Sequence, residues 1–167
     1  MMASTDAGRS LLARMTNDRS STEAAPITIS IRQFRYPEDY LSVLQLWQEA
    51  GPGIHIRRSD QPEEIAKKLQ RDPDLFLIAE MDHLVIGSVL GGFDGRRGMM
   101  YHLAVAAFYR YQGIGALLME ELERRLRAKG CIRYYLLVTR ENQEAIRFYE
   151  TRGWERLELF TYAKDLA

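Results

Sequence analysis

From about residue 27 onward, apolar and polar positions alternate in two rhythms, a strand-like period of about two and a helix-like period of about 3.6 residues. Residues 27–34 read as a first strand. Residues 37–50 read as a helix with Leu41, Leu44 and Trp47 on its inner face, ended by Gly51-Pro52-Gly53. A loop carrying His55, Arg57 and Arg58 leads to a second helix over 62–70. Residues 75–80 and 84–93 form a predicted hairpin across Met81-Asp82-His83. Gly91-Gly92 and Asp94-Gly95 then supply a turn before a strand that ends at Val105. The next helix starts at Ile114, has Ile114, Leu117, Leu118, Leu122 and Leu126 as its apolar face, and stops at Gly130. Its polar face sets Glu120, Glu121 and Glu123 four residues before Arg124, Arg125 and Arg127, the spacing of a solvated, salt-bridged helix. The near-continuous apolar run at 134–138 predicts a strand buried on both faces. A helix follows Asn142, and one or two strands fall within 154–166. The sum is an α/β fold, a mixed sheet flanked by helices.

Composition narrows this picture. A chain of 167 residues that is 46% hydrophobic can bury one sizeable core, so one domain is expected over 27–167. Residues 1–26 are rich in Ser, Thr and Ala without sustained periodicity and read as a flexible tail, with a short frayed helix around 11–15 as the other reading. Arg9, Arg14 and Arg19 have the look of a transit peptide, but Asp6, Asp18 and Glu23 argue against one. Lys plus Arg equals Asp plus Glu at 23 each, so no global field draws the protein to nucleic acid or to an anionic membrane. Any anion must be recognised locally. No apolar run approaches the roughly 20 residues that span a bilayer. The lone Cys131 excludes an intrachain disulfide framework and suits a reducing, cytoplasmic location. His55 and His83 have no Cys or His at ligand spacing, so no metal site is expected.

The segment Arg110-Tyr111-Gln112-Gly113-Ile114-Gly115 carries the chemistry. It joins the strand that ends at Val105 to the helix that starts at Ile114. Two glycines admit a ligand close to the main chain, and the helix start adds unpaired N–H donors and the positive end of a dipole. That is a cradle for an anion, most naturally a phosphate. It lacks the Lys-Ser/Thr of a nucleoside triphosphate loop, and Leu118 stands where a dinucleotide fingerprint wants its third glycine. The alternative is a tight strand-to-helix turn that binds nothing.

A second constellation follows the run at 134–138, the stretch Asn-Gln-Glu-Ala-Ile-Arg-Phe-Tyr-Glu-Thr-Arg-Gly-Trp from Asn142 to Trp154. Asn142 is a good helix N-cap, Ala145, Phe148 and Tyr149 fall on adjoining turns, and Gly153 fits the helix end. Together the two segments resemble the signature of the GCN5-related N-acetyltransferase superfamily, with its Arg/Gln-x-x-Gly-x-Gly/Ala loop and a later helix bearing Asn and Tyr before a Gly-aromatic pair. The likeness runs from about Ile27 to the C-terminus, with Ile31-Arg32 and Pro37-Glu38-Asp39 resembling the usual first strand and helix start. The resemblance implies a mixed, mostly antiparallel sheet of six to seven strands flanked by helices, its central strands splayed to admit acetyl-CoA. It implies that main-chain groups of Leu103, Ala104 and Val105 take the pantetheine arm as an added strand. It further implies that Arg110, Tyr111, Gln112, Gly113, Ile114, Gly115 and Ala116 hold the pyrophosphate, that Asn142 contacts the pantetheine, and that Tyr149 protonates the departing thiolate. Tyr111 is a departure, since the family often has Gly there.

The implied activity is transfer of the acetyl group of acetyl-CoA to a primary amine by direct attack in a ternary complex, with no metal. The amine must lose a proton from an ammonium near about pKa 10, and a phenol can reprotonate a thiolate whose acid lies near about 8.5. The family's usual base positions hold Tyr101, Met99 and Leu137 here, none of them a carboxylate or imidazole. A water relay, held by Tyr101 as part of the acceptor site, is the expectation. Strand alternation sets His102 on the face opposite Tyr101 and makes it a packing residue. Glu80, at the end of the apolar run 75–79, either reaches a cleft or merely caps an exposed strand end. The acceptor partner is a small-molecule or peptide amine, and relatives are commonly homodimers. The rival readings are a non-catalytic acyl-CoA sensor and a plain interaction module.

Overall fold

The structure, a computed structural model, describes residues 28–51 and 53–166, so the expectations for 1–26 lie outside the described residues. The chain runs β1 (Ile29–Gln33), α1 (Tyr40–Glu49), α2 (Pro62–Arg71), β2 (Phe76–Met81), β3 (Leu84–Phe93), β4 (Gly98–Val105), α3 (Ile114–Ala128), β5 (Tyr134–Leu136) and α4 (Gln143–Glu150). The strands form one sheet in sequence order. The first four are antiparallel and β5 lies parallel to β4. The β2–β3 hairpin closes as predicted, with Asp82 and His83 both at positive φ as a tight two-residue turn requires.

The sheet has a core on each face. On one side α3 packs through Ile114, Leu118, Leu122 and Leu126 against Leu77 and Ala79. On the other, α1 and α2 bring Val43, Leu46, Trp47 and Ile65 against Phe76 and Ile78. The two-sided burial expected at 134–138 therefore belongs to β2, which sits inside the sheet. β5 is a short edge strand of half-buried residues, and Leu137 beyond it is 66% exposed. Gly91 lies within β3 rather than in a turn. A Cβ there would overlap the Leu122 side chain, so its absence lets α3 lie close on the sheet.

Two helix faces differ from the sequence pattern. In α1 the buried residues are Val43, Leu46 and Trp47, while Leu41 is 74% exposed. The rotation is set by Asp39, buried just before the helix. Its carboxylate takes Arg32 Nη1 at 2.7 Å, Arg32 Nη2 at 2.9 Å and the Arg35 N–H at 2.6 Å. In α3, Leu117 turns out to solvent and Met119 is buried instead. Of the expected ion pairs, Glu121–Arg125 and Glu123–Arg127 form, while Arg124 turns to Glu121 rather than Glu120. Residues 154–166 carry no strand, so the described residues hold five strands where six or seven were expected. Leu159, Phe160 and Tyr162 face solvent there, while Trp154 packs its ring 4.6 Å from Tyr134 and Glu155 pairs with Arg133 at 2.9 Å.

The Arg32–Asp39 clamp gives a pH-dependent prediction. Burial pushes the Asp39 carboxyl up, but the hydrogen bonds from Arg32 and the Arg35 N–H outweigh it and leave the group below its ordinary range. A depressed folded-state pKa stabilises above the unfolded value and is lost as pH falls through the folded one. Asp39→Asn is expected to lower stability by about 2 kcal/mol at pH 7. In urea unfolding the gap between variant and parent should narrow at about pH 3.

Candidate active site

β5 pairs with β4 only from Gly98 to Met100. Beyond Met100 the side of β4 that faces β5 has no strand partner, and the gap between the two segments opens into a cavity of about 1380 Å³. That exceeds the roughly 300–1,000 Å³ of a site for one drug-sized ligand, so it has room for an elongated molecule and a second one. Leu103, Ala104 and Val105 form one wall and residues 136–139 the other.

At one end lies the loop into α3. A 3-10 turn at Ala107–Tyr109 reverses the chain, and Tyr111 and Gly113 then adopt left-handed backbone, with φ of 62° and 83°. Among the described residues, the main-chain N–H groups of 111–116 donate to no protein acceptor. The first helical bond of this region is Leu117 N–H to Gly113 O at 3.1 Å. These donors, with the dipole of a 15-residue helix behind them, are a site for an anion. Arg110, Tyr111, Gly113, Ile114 and Gly115 line the cavity; Gln112 and Ala116 do not, and Gln112 Nε2 folds back to Phe108 O at 3.3 Å.

The Arg110 side chain bonds within the protein. Its Nε donates to Val105 O at 3.0 Å and its Nη2 to Ala50 O at 2.9 Å, and its N–H reaches Ala107 O at 3.4 Å. The guanidinium thus ties the loop to the end of β4 and to the C-terminal carbonyl of α1, where a cation is favoured. Tyr111 is exposed, and its hydroxyl donates to Glu144 Oε1 at 3.0 Å, linking the loop to α4.

α4 supplies the opposite wall. Asn142 caps it, Oδ1 accepting the Ala145 N–H at 3.1 Å, and its Nδ2 abuts Gly53, where a Cβ would approach to 2.5 Å. Tyr149, two turns on, half-buried against Trp154 and Phe148, also lines the cavity. Its hydroxyl makes no hydrogen bond among the described residues. Burial alone raises its pKa to about 12.

The far end of the cavity holds a β-bulge that the sequence pattern missed. Tyr101 lies opposite Leu90 and Ala104 opposite Ser88, so His102 and Leu103 together face Val89. The extra residue resets the alternation. Met100 and Leu103 point into the α3 core and Ala104 into the α1/α2 core, which leaves Tyr101 and His102 on one side, both on the cavity wall. His102 therefore packs on the same face as Tyr101, not on the opposite one as the alternation predicted. Its Nε2 lies 2.9 Å from Asp60 Oδ1, and its ring sits 4.7 Å from that of Trp47. Asp60 is the residue sequence reasoning overlooked. It looked like an ordinary acidic residue ahead of a Pro-initiated helix, and nothing local pairs it with a histidine 42 positions away. Glu80, by contrast, pairs with Arg32 at the β1–β2 end and does not line the cavity. Among the described residues no cluster of His, Cys, Asp or Glu is arranged to hold a metal, and no helix is long and apolar enough to cross a membrane.

Comparison with known proteins adds an independent line. Residues 40–154 match the model of the acetyltransferase (GNAT) family. An acetyltransferase of Pectobacterium atrosepticum is 39% identical over 139 residues, covering 83% of this chain and 96% of that one. One of Sodalis glossinidius is 41% identical over 128 residues, covering 76% and 87%. Among solved structures, Ard1 from Thermoplasma volcanium superposes with a TM-score of 0.66 at 25% identity, covering 76% of this chain and 82% of that one. The PaiA N-acetyltransferase of Thermoplasma acidophilum, solved with coenzyme A, gives 0.70 at 22% identity and coverages of 80% and 94%.

The left-handed backbone at Gly113 yields a test of the loop itself. Gly113→Ala should cost about 1–2 kcal/mol, and Gly113→Asn less, because Asn tolerates this conformation. Thermal unfolding of the two variants checks the order.

Proposed function

The chain belongs to the GNAT family of acetyltransferases, and from that premise we propose that it moves the acetyl group of acetyl-CoA to a primary amine by direct attack in a ternary complex. The observation that carries this reading is the row of unclaimed N–H groups at 111–116 opening onto the unpaired edge of β4. A pyrophosphate supplies the charge such donors favour, and a pantetheine arm supplies amide groups for the edge. The residues present fit that cosubstrate. Tyr111, Gly113, Ile114 and Gly115, with the N–H groups of Gln112 and Ala116, take the phosphates while Arg110 braces the loop. Main-chain groups of Leu103, Ala104 and Val105 take the arm, and Asn142 offers Nδ2 from across the cavity. The fold neighbour solved with coenzyme A supports the same ligand.

Held this way, the thioester end of the arm points from the phosphate loop back along β4 toward Tyr101. Fixed main-chain N–H groups in the 103–105 stretch can meet the oxyanion that develops as the amine attacks. Tyr149 then gives its proton to the leaving sulfur. A phenol raised to about 12 is a weaker acid than a free thiol near about 8.5, so the transfer accompanies C–S cleavage in a site whose dryness raises the thiol as well. The acceptor enters at the Tyr101 end, beside the α1/α2 side of the sheet. It is a small-molecule or peptide amine, and the working location is the cytoplasm.

Tyr149→Phe should reduce kcat on the order of 100-fold while leaving thermal stabilisation by acetyl-CoA intact. Thiol release measured with a panel of amines reads the first and a melting curve the second; an unchanged kcat removes Tyr149 as the acid. The raised pKa also fixes a sign. Tyr149 stays protonated up to about pH 11, so kcat should show no falling alkaline limb between pH 7 and 10 from this group.

A further inference from the structure

The amine must surrender a proton, and a candidate for taking it stands where the arm would end. We propose that His102, oriented by Asp60, is the general base of acetyl transfer, acting from the opposite face of the sheet to Tyr149. This inference rests on the acetyltransferase reading above.

Four observations converge. First, the bulge at His102 immediately precedes the 103–105 edge, so an arm running from the phosphate loop along that edge brings its reactive end to this residue. Second, Asp60 is almost fully buried and receives both the Arg57 N–H, at 2.8 Å on Oδ2, and His102 Nε2, at 2.9 Å on Oδ1. Burial pushes its carboxyl up, yet these hydrogen bonds outweigh it and hold it below its ordinary range. An ionised Asp60 can only accept, so Nε2 carries the hydrogen and Nδ1 is left as the ring's basic nitrogen. No protein group among the described residues is hydrogen-bonded to Nδ1. Third, His102 has a φ of 36°, a left-handed conformation that a residue with a Cβ adopts only under strain. Fourth, the ring is held by Trp47, whose own Nε1 is fixed by Ser88 Oγ at 2.9 Å, so its orientation is set by the core rather than by solvent.

The two faces of the sheet then divide the work. Tyr149 packs with the α3 core and His102 against the α1/α2 core. From a neutral amine, the nitrogen lone pair forms the N–C bond while His102 Nδ1 takes one N–H proton. The C–S pair leaves with sulfur, which takes the Tyr149 proton. Solvent returns a proton from the imidazolium to the tyrosinate, and the sum is amide plus thiol. An ammonium substrate first sheds its extra proton through the same nitrogen to solvent. Asp60 is the positioning residue. It fixes the tautomer and faces the positive charge that His102 gains. The other charged and titratable groups around this pair are His55 and Arg57 in the preceding loop, Lys68 of α2 with its partner Asp72, and Tyr101 of β4, while α1 presents Trp47 to the ring and Tyr40, whose hydroxyl donates to Asp60 O at 3.1 Å.

The test measures kcat/KM for the amine from pH 5.5 to 9.5 by thiol release, using benzylamine, an aminoglycoside, a peptide with a free N-terminus and one with a free lysine. His102→Gln keeps a donor for Asp60 but cannot take a proton. It should cost about 100-fold or more at pH 7, and its rising limb should follow the amine's own ionisation instead of the enzyme's. Asp60→Asn should cost about tenfold or more and displace the same limb. Acetyl-CoA should still raise the melting temperature of both variants. A His102→Gln enzyme within threefold of wild type with an unmoved limb overturns the assignment. So does a variant that loses acetyl-CoA stabilisation, because His102 would then serve cosubstrate binding or folding. A wild-type protein stabilised by acetyl-CoA yet inert toward every amine overturns the acetyltransferase reading and the base together, a result distinct from either of the others.

Discussion

Past Met100, β4 keeps its ladder to β3 and loses its neighbour on the other side. A strand edge inside a domain leaves main-chain donors and acceptors that water or a ligand must satisfy. Here the opening is kept by specific contacts. β5 ends after three residues, and Arg110 holds the loop that follows β4 against Val105 O and Ala50 O. The missing neighbour makes the cavity, exposes the 103–105 edge and sets the loop N–H groups at its end. Each part of the site is a consequence of that one interrupted pairing.

The supporting scaffold is rigid where the site needs precision. β2 is buried on both faces, Gly91 lets Leu122 lie close on the sheet, and the Arg32–Asp39 clamp fixes the rotation of α1. That rotation brings Trp47 inward, where it meets both Ser88 and His102. The partly buried Arg32–Asp39 ion pair is thereby connected, through one helix, to the ring proposed to move a proton. Among the described residues, the groups hydrogen-bonded to no protein partner include those the chemistry would use: the loop N–H donors, the Tyr149 hydroxyl and His102 Nδ1.

Much of this was legible in the chain. The hairpin across Asp82 and His83, the glycine loop, the Asn142 cap and the order of elements all rest on local rules, and local rules were sufficient for them. The failures are nonlocal. The run at 134–138 and the interior of β2 are equally apolar, and only the sheet order decides which is central. In α1 two helical faces compete, and a salt bridge from β1 chooses between them. The bulge at His102 follows from the register of β4 against β3, which no period-two pattern contains; the pattern therefore set His102 on the wrong face, and nothing local pointed to its contact with Asp60.

The central claim, that the N–H groups of 111–116 grip a diphosphate while an arm completes the open edge of β4, is tested most directly by amide hydrogen exchange with and without coenzyme A. The account predicts slowed exchange confined chiefly to 111–116 and to the 103–105 stretch. Unchanged exchange at both, or protection centred elsewhere in the protein, would contradict it.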